Sequence, residues 1–510
     1  MNVLRGPATL IAILIVTACL LLPSAVQSPL SDREVWVFQS IREMQASSGL
    51  IPTLNERPFA GQNPLQVLFF SLVPSGELIA LRLVLVVLGC LFTAAVCLFA
   101  LRVYGGRTAL FSSLITMTSL GFIMTHSGLQ PQVLPGTLCV FAVLVFSLSY
   151  LGKARPWWYV VAHILAGLAS ITGGWIMLGC YLGFIVLLIL LDLAPVRFLN
   201  IHPISGILIL AGTVASFLIV YRLAGGSHFL FEIFSFGQET GFLSRTALLF
   251  IALLPWLPLL VPAWIYLEKD IDTETWHDLL PIKTAFFVSV VAVLFSSRFD
   301  PVLALLSLPF AGLLVGFWLA NGLRQQKPGK IMPISLAVSG AFLFIGTLAA
   351  GLFSRISAGI LHAVDGALAV VVLSLGIVFF FLMRSKRHLE ALLLGCVTVF
   401  ILYWSLPILE DPLRDVAKQS YLQEISLKAP LLVYSDDLVM RGYLGRAGVR
   451  PFIISRETLP IGGSTYLAVS TENLENLLDT LGTFSDAILV SSLRGERTYA
   501  LIRLDPLSSL

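Results

Sequence analysis

The sequence predicts a polytopic α-helical membrane protein that ends in a small α/β domain. Of its 510 residues, 57% are hydrophobic and only 12% are charged, and the mean hydropathy is +0.91. Soluble domains carry about twice that share of charged residues. Many apolar runs reach about 20 residues, the length that crosses roughly 30 Å of hydrocarbon as a helix. Residues 411–510 lose this character, which marks the second domain.

Apolar runs between charged residues and Pro or Gly breaks predict about thirteen membrane spans. Since backbone groups inside hydrocarbon must be hydrogen-bonded within the protein, each run is interpreted as a helix. The first run contains Val16-Thr17-Ala18-Cys19, which resembles a lipoprotein cleavage box, but the apolar stretch continues past Cys19 and the span is kept. The predicted spans cover residues 8–26, 78–101, 107–125, 132–151, 156–174, 176–193, 203–222, 246–267, 283–298, 301–320, 331–353, 361–383 and 389–409.

Basic residues collect on one set of the loops between these spans, and such loops are typically cytoplasmic. With an odd number of spans, the N-terminus is then expected in the cytoplasm. Residues 27–77, 223–245, the turn at 298–300 and everything after 410 are expected outside. The basic residues are Arg5, Arg102, Arg107, Lys153, Arg155, Arg197, Lys269, Lys283, Arg324, Lys327, Lys330, Arg384, Lys386 and Arg387.

The six cysteines all lie inside apolar runs, which favours burial as small hydrophobic residues over disulfide pairing. The seven histidines are scattered without ligand spacing, so a His or Cys metal site has no support. Three ionisable residues, Arg82, His163 and Asp365, lie within or near spans, where such groups suggest function. Their structural alternatives are a pairing of Arg82 with Glu77 and a hydrogen bond from His163 to a neighbouring helix.

Residues 411–510 form the predicted C-terminal domain, and residues 1–410 form the transmembrane domain with its outer loop at 27–77. The C-terminal strands are expected at PLLVYS, PFIIS, TYLAVS, DAILVSS and TYALIRL, with helices at DDLVMRGYLGRAG and TENLENLLDTLG. Arg494-Gly495-Glu496 is interpreted as the turn of a closing hairpin. The domain lacks a glycine loop of the kind that binds phosphate.

A charged cluster, Asp32-Arg33-Glu34, follows directly on the first span and opens a helix that ends in Arg42-Glu43-Met44. One interpretation is an interfacial amphipathic helix with Trp36 and Phe38 at the level of the lipid headgroups. The loop continues with Asn55-Glu56-Arg57-Pro58-Phe59 and with Pro64, which opens the next apolar helix.

This order of motifs resembles the bacterial aminoarabinose transferase and protein O-mannosyltransferase family, glycosyltransferases of the C superfamily (GT-C). Further similar segments follow in the family's order: GRTALFSSLITMTS at 106–119, WWYVVAHILAGLASITGGW at 157–175, FLFEIFSFGQETGFLSR at 229–245 and LFSSRFDPVLALLSLPFAGLL at 294–314. The resemblance implies a GT-C-like fold with thirteen spans and an outer α/β domain.

The resemblance also implies an inverting transfer of a sugar from a polyprenyl-phosphate carrier to a lipid, glycan or protein acceptor at the outer face of a bacterial inner membrane. Asp32 or Glu34 would accept the proton of the acceptor hydroxyl, and Arg33 would orient or pair with that base. Counting back from Met44 places the family's aspartate on Arg33 and its glutamate on Glu34, so both carboxylates stay candidates. The expected substrate-binding residues are Arg33, Arg57, Gln62, Gln132, Glu239 and Arg298.

No cofactor is certain: Asp32, Glu34 and Glu239 could share a divalent cation, although no paired-carboxylate spacing requires one. No nucleic-acid partner is expected. A transporter is disfavoured because no inverted repeat is apparent.

Several family positions are substituted in this chain. The family's glutamate, lysine and proline before Pro64 are Gly61, Gln62 and Asn63, and Gln132 stands near the position of an aspartate. A later lysine and proline are Gly173 and Trp175. Glutamine can hydrogen-bond a hydroxyl but cannot serve as a base or counter-ion. The alternative function is therefore a homologue that keeps the fold, has lost transfer and acts as a lipid-binding or assembly subunit.

Overall fold

The computed structural model describes most of the predicted membrane domain and the strands of the C-terminal region. The described residues are 6–27, 32–47, 51–54, 57–58, 64–73, 78–126, 133–192, 203–223, 238–239, 241–269, 273–296, 298–299, 301–323, 331–358, 363–409, 431–434, 452–454, 465–470, 487–494 and 498–504.

Helices dominate the described chain, as the apolar runs predict. In chain order they are α1 (Gly6–Gln27), α2 (Asp32–Ser47), α3 (Pro64–Ser71), α4 (Leu78–Val103), α5 (Gly106–Met117), α6 (Leu120–His126), α7 (Val133–Tyr150), α8 (Trp158–Gly173), α9 (Trp175–Asp192), α10 (Pro203–Leu223), α11 (Phe242–Leu253), α12 (Leu257–Lys269), α13 (Thr273–Phe295), α14 (Leu308–Gly322), α15 (Ile331–Ala358), α16 (Ala363–Arg384) and α17 (His388–Leu409), with a 3₁₀ helix at Pro301–Leu306 before α14.

Seven helices among the described residues are long and apolar enough to cross a membrane, or up to nine if each of two bent pairs is one span. Shorter apolar helices lie at four further predicted spans, within α8, α15, α16 and α17. The chain is therefore a polytopic integral membrane protein. Thirteen crossings remain a prediction.

Two predicted spans, 107–125 and 246–267, are not single straight helices. The axis bends by 61° between α5 and α6, and by 86° between α11 and α12. The two breaks meet: the backbone N–H of Leu120 donates to the Leu254 carbonyl at 2.9 Å, and Trp256 Nε1 donates to Thr118 Oγ1 at 2.9 Å. Because polar groups freed by a break cannot be left unpaired in hydrocarbon, each break is tolerated by bonding to the other.

The predicted span 283–298 is also corrected, because α13 begins at Thr273 and contains Lys283. Lys283 is buried, and its Nζ donates to the Leu267 carbonyl and to Glu268 Oε1, both at 2.8 Å. The ammonium also lies over the rings of Trp264 and Trp276. A charge that is paired in this way need not end a helix.

A close helix contact joins α5 to α14. A Cβ built on Gly316 would lie 2.6 Å from the Ser112 backbone nitrogen and 2.8 Å from its Cα, and one on Gly312 would lie 3.0 Å from the Ser112 carbonyl oxygen. Small residues at this spacing let two membrane helices approach backbone to backbone. The packing therefore requires glycine at position 316.

We expect Gly316→Ala to lower the free energy of unfolding in detergent by about 1–3 kcal/mol, because the added methyl group forces the helices apart. Gly179→Ala is the matched control, since a Cβ at this helical position meets nothing within 4 Å. The control should be neutral or slightly stabilising. Equal melting temperatures for the two variants would contradict the close contact.

The prediction that the cysteines are not paired in disulfides is confirmed, since all six are free. Cys97, Cys139, Cys180 and Cys396 are buried, and Cys90 is partly buried. The prediction of burial is wrong for Cys19, whose side chain is exposed on the surface of α1.

The C-terminal region forms a five-stranded mixed sheet. Its strands are β5 (Leu431–Tyr434), β6 (Phe452–Ile454), β7 (Thr465–Ser470), β8 (Ala487–Arg494) and β9 (Thr498–Leu504), in the order β6-β5-β7-β9-β8. Strand β5 runs parallel to β6 and β7, whereas β9 is antiparallel to β7 and β8. All five predicted strands are present. The helices predicted at 436–448 and 471–482 lie outside the described residues, so the α/β domain stays a prediction.

Candidate functional site

Helix α2 begins at the charged cluster and buries one face against the membrane domain. Val37, Phe38, Ile41 and Met44 are buried, and their spacing is that of an apolar helix stripe. Phe38 therefore packs inside the protein and does not lie among lipid headgroups, which corrects the interfacial interpretation for this residue. The side chain of Trp36 lies outside the described part.

The C-terminal end of α2 is fixed to the segment that follows α3. Gln45 Nε2 donates to the Ser71 carbonyl at 3.1 Å and to the Val73 carbonyl at 2.7 Å. These contacts hold the end of α2 in place beside the helix that Pro64 opens.

The N-terminal turn of α2 is held by a buried ion pair between Glu34 and Arg82 of α4. Arg82 Nη2 donates to Glu34 Oε2 at 2.7 Å and Arg82 Nε donates to Oε1 at 3.2 Å. The side chain of Arg82 is 3% exposed and that of Glu34 is 2% exposed. This contact joins residues 48 positions apart in the sequence. Glu77, the predicted partner of Arg82, lies outside the described residues, so that pairing stays a prediction. Two parallel charge-assisted bonds fix both the position and the orientation of the carboxylate.

Glu239 and Arg298, two predicted substrate-binding residues, are brought together by a short antiparallel strand pair. Strand β3 (Gln238–Glu239) pairs with β4 (Arg298–Phe299), and the register places Glu239 opposite Arg298 and Gln238 opposite Phe299. The strands lead into α11 and the 3₁₀ helix, which pack against each other and against α6. The strand pair is therefore connected to packed helices that belong to the two bent spans.

The other predicted residues are placed only in part. Asp32 and Arg33 lie in the first turn of α2, and Arg57 lies in β2 (Arg57–Pro58), opposite Leu54 of β1 (Thr53–Leu54). The side chains of these three residues, and those of Glu239 and Arg298, lie outside the described part. Gln62 and Gln132 lie outside the described residues altogether.

Gly173, at the position of the family's lysine, is packed against α7. A Cβ at this position would lie 2.7 Å from Pro135 Cβ and 2.5 Å from Met177 Cγ. A lysine would not fit here without movement of α7 or α9, so the surrounding helices are built around the glycine.

His126 was not predicted and lies at the end of α6, just before the segment that contains Gln132. The ring is buried between Phe92 and Phe122, and its Nδ1 is 3.0 Å from the Phe122 carbonyl and 3.1 Å from Thr125 Oγ1. Its Nε2 has no hydrogen-bond partner among the described residues. The sequence signal was a histidine at the end of an apolar run.

His163 is hydrogen-bonded as predicted, with its Nδ1 3.1 Å from the Tyr181 hydroxyl of α9. The described residues contain no group of three His, Cys, Asp or Glu side chains that could hold a metal ion. Glu34 is the one member of the Asp32, Glu34 and Glu239 set whose side chain the structure describes.

Comparison with solved structures finds this fold over nearly the whole chain. ArnT from Cupriavidus metallidurans has been solved bound to undecaprenyl phosphate and in the apo state. Both structures match at a TM-score of 0.71, with 15% and 16% identity, over 97% of each chain. The arabinosyltransferase EmbB from Mycobacterium smegmatis matches at a TM-score of 0.50 and 15% identity, over 78% of this chain and 40% of EmbB.

No protein-family model and no curated protein sequence matches the chain. Identities this low establish the fold alone, and that fold agrees with the family that the motifs resemble. The chain therefore has the fold of ArnT, which is the GT-C-like fold that the resemblance of its motifs predicts.

Proposed function

We propose that this protein is an inverting glycosyltransferase that moves a sugar from a polyprenyl-phosphate carrier to an acceptor at the outer face of a bacterial inner membrane. The observation that carries the proposal is the end-to-end likeness to ArnT, a protein solved with a polyprenyl phosphate bound. In the proposed orientation the N-terminus is cytoplasmic, the chain crosses the membrane thirteen times, and the C-terminal α/β domain is extracytoplasmic.

In the proposed reaction an acceptor hydroxyl attacks the anomeric carbon, and the bond from that carbon to the carrier phosphate oxygen breaks. The hydroxyl proton passes to Asp32, and the leaving phosphate is stabilised by cations. Glu34 is proposed to position this base. Its support is the pair with Arg82, which occupies both carboxylate oxygens and anchors the helix turn that begins at Asp32.

The substrate is proposed to meet residues from four outer segments. Arginine is suited to phosphate because it is always charged and binds two oxygens at once, so Arg33, Arg57 and Arg298 are the proposed phosphate partners. The register that places Arg298 opposite Glu239 supports a common site for these two residues. Gln62 and Gln132 are proposed to hydrogen-bond sugar or acceptor hydroxyls.

The surroundings of the Glu34 carboxylate are poorly suited to binding a divalent cation. The Glu34 carboxylate already bonds the Arg82 guanidinium through both oxygens, so a second cation there would lie close to a buried positive charge. The proposed reaction uses no metal ion in any step.

A second candidate, a homologue that binds the carrier without transferring sugar, is favoured by the packing at Gly173. The helices close around the glycine and leave no room for the family's lysine. Such a protein would hold the polyprenyl phosphate as a lipid-binding or assembly subunit.

The test is to incubate the purified full-length protein with radiolabelled polyprenyl-phosphate sugars and to measure both binding and release of the sugar. Transfer or slow hydrolysis of at least one donor, with Lys386→Gln at an exposed distant turn behaving as wild type, would support the enzyme. Binding of the carrier without turnover of any donor would support the second candidate. Binding of neither carrier nor donor would contradict both.

A further inference from the structure

Four exposed basic side chains lie on two short turns at one end of the helix bundle. Arg102 and Arg107 flank the turn from α4 to α5, and Lys153 and Arg155 lie in the turn from α7 to α8. We call these four residues the basic patch. Arg102 is 20 residues from Arg82 along one helix, which corresponds to about 30 Å, so the patch lies at the end of α4 away from the proposed reaction site.

The two turns are joined and are held by backbone hydrogen bonds. Arg102 Nη1 donates to the Lys153 carbonyl at 3.4 Å. The N–H of Gly105 donates to the Ala100 carbonyl at 2.9 Å, and that of Lys153 donates to the Leu148 carbonyl at 2.9 Å. Gly105 and Gly152 have φ of 95° and 66°, which side-chain-bearing residues rarely adopt. The four cations are therefore carried on two compact turns, which the Arg102 contact joins.

A stacked tryptophan pair adjoins the patch at the start of α8. The rings of Trp157 and Trp158 have centroids 4.5 Å apart and an interplanar angle of 25°, and Trp157 is 53% exposed. Tryptophan is enriched at the level of lipid headgroups because its ring is apolar and its N–H is polar. This pair places the basic patch at the boundary between hydrocarbon and water.

The two turns that carry the patch have no acidic residues of their own. The segments 99–107 and 148–160 contain no Asp or Glu. Asp278 borders the patch, since its carbonyl accepts a hydrogen bond of 2.9 Å from the Tyr104 hydroxyl. Burial, with a smaller effect of the Asp278 charge, raises the pKa of Tyr104 well above its usual value, so this hydroxyl remains a neutral donor. The turn after α16 differs, because there Arg387 forms an ion pair with Glu390.

We infer that the basic patch binds the phosphate headgroup of an anionic phospholipid in the adjoining leaflet. The charge is complementary, the turns hold the cations together, and the tryptophan pair places them at headgroup depth. This site is separate from the proposed reaction site and does not depend on the proposed function.

The test is native mass spectrometry of the full-length protein titrated with phosphatidylglycerol, with phosphatidylcholine of the same acyl chains, and with inorganic phosphate. We expect phosphatidylglycerol to bind about tenfold more tightly than phosphatidylcholine. We also expect inorganic phosphate to compete poorly, because it cannot use the membrane-facing tryptophans. Equal binding of the two lipids would overturn the inference, and so would displacement of phosphatidylglycerol by an equal concentration of phosphate.

Two variants each remove one pair of charges from the patch: Lys153→Gln/Arg155→Gln and Arg102→Gln/Arg107→Gln. Each should lower the affinity for phosphatidylglycerol by about tenfold and leave that for phosphatidylcholine unchanged. The Arg102→Gln/Arg107→Gln variant also loses the hydrogen bond from Arg102 to the Lys153 carbonyl. If that variant does not fold, the Lys153→Gln/Arg155→Gln variant provides the test. Arg384→Gln/Lys386→Gln removes the same charge from another exposed turn and should lower the affinity by less than threefold. An equal loss in this control would overturn a specific site.

Discussion

Replacing Asp32 by asparagine should lower the rate of sugar transfer by about 100- to 10,000-fold, the usual contribution of a general base. Asparagine keeps the size of the side chain but cannot accept the proton of the attacking hydroxyl. Asp32 begins α2 and is two residues before the buried Glu34, so the substitution keeps the carboxylate that pairs with Arg82. The measurement is single-turnover transfer from a radiolabelled polyprenyl-phosphate sugar, together with a binding assay for the donor.

Donor binding should change by less than tenfold in Asp32→Asn, because the proposed base acts on the acceptor hydroxyl. Ser47→Ala at the other end of α2 is the matched control and should retain full transfer. An Asp32→Asn protein that transfers sugar at the wild-type rate would remove Asp32 from the reaction. The alternative assignment, with Glu34 as the base, would then be the one to test.

Replacing Glu34 by glutamine should lower the free energy of unfolding by about 3–5 kcal/mol, because the buried guanidinium of Arg82 loses the carboxylate that it bonds through both oxygens. The side chains of both residues are at most 3% exposed, so water cannot replace the lost partner. Unfolding of the detergent-solubilised protein, followed by thermal and chemical denaturation, measures the loss. Glu390→Gln breaks the half-exposed pair with Arg387 and should cost about 0–1 kcal/mol.

The double variant Glu34→Leu/Arg82→Met separates folding from chemistry. Replacing both ions by apolar side chains of similar volume is often neutral or stabilising, so the double variant should recover most of the stability that Glu34→Gln loses. If Glu34 only positions the base, the recovered protein should retain transfer within about 100-fold of wild type. Complete loss of transfer in a stable double variant would show that the Glu34 carboxylate itself takes part. A Glu34→Gln loss no larger than that of Glu390→Gln would contradict the buried pair.

The sequence by itself determined the class of the protein, the places of most of the described helices and those of the five C-terminal strands. Apolar runs of spanning length have few stable alternatives to helix, because hydrocarbon offers no partner to the backbone. The five C-terminal strands followed from short apolar segments bounded by turn residues. The order of motifs, from the charged cluster at Asp32 to the segment around Arg298, predicted the GT-C fold that the comparison with ArnT supports.

Only the tertiary structure decided which residues meet. Arg82 pairs with Glu34, which lies 48 residues away in the sequence, and both side chains are buried. Counting apolar residues did not predict the helix breaks at Thr118 and Pro255, because the composition of a span does not reveal whether its backbone hydrogen bonds continue. Glu239 lies opposite Arg298 through a strand register that no local pattern encodes. Each of these contacts joins distant parts of the chain, and the free energy that selects them comes from packing and desolvation in the folded protein.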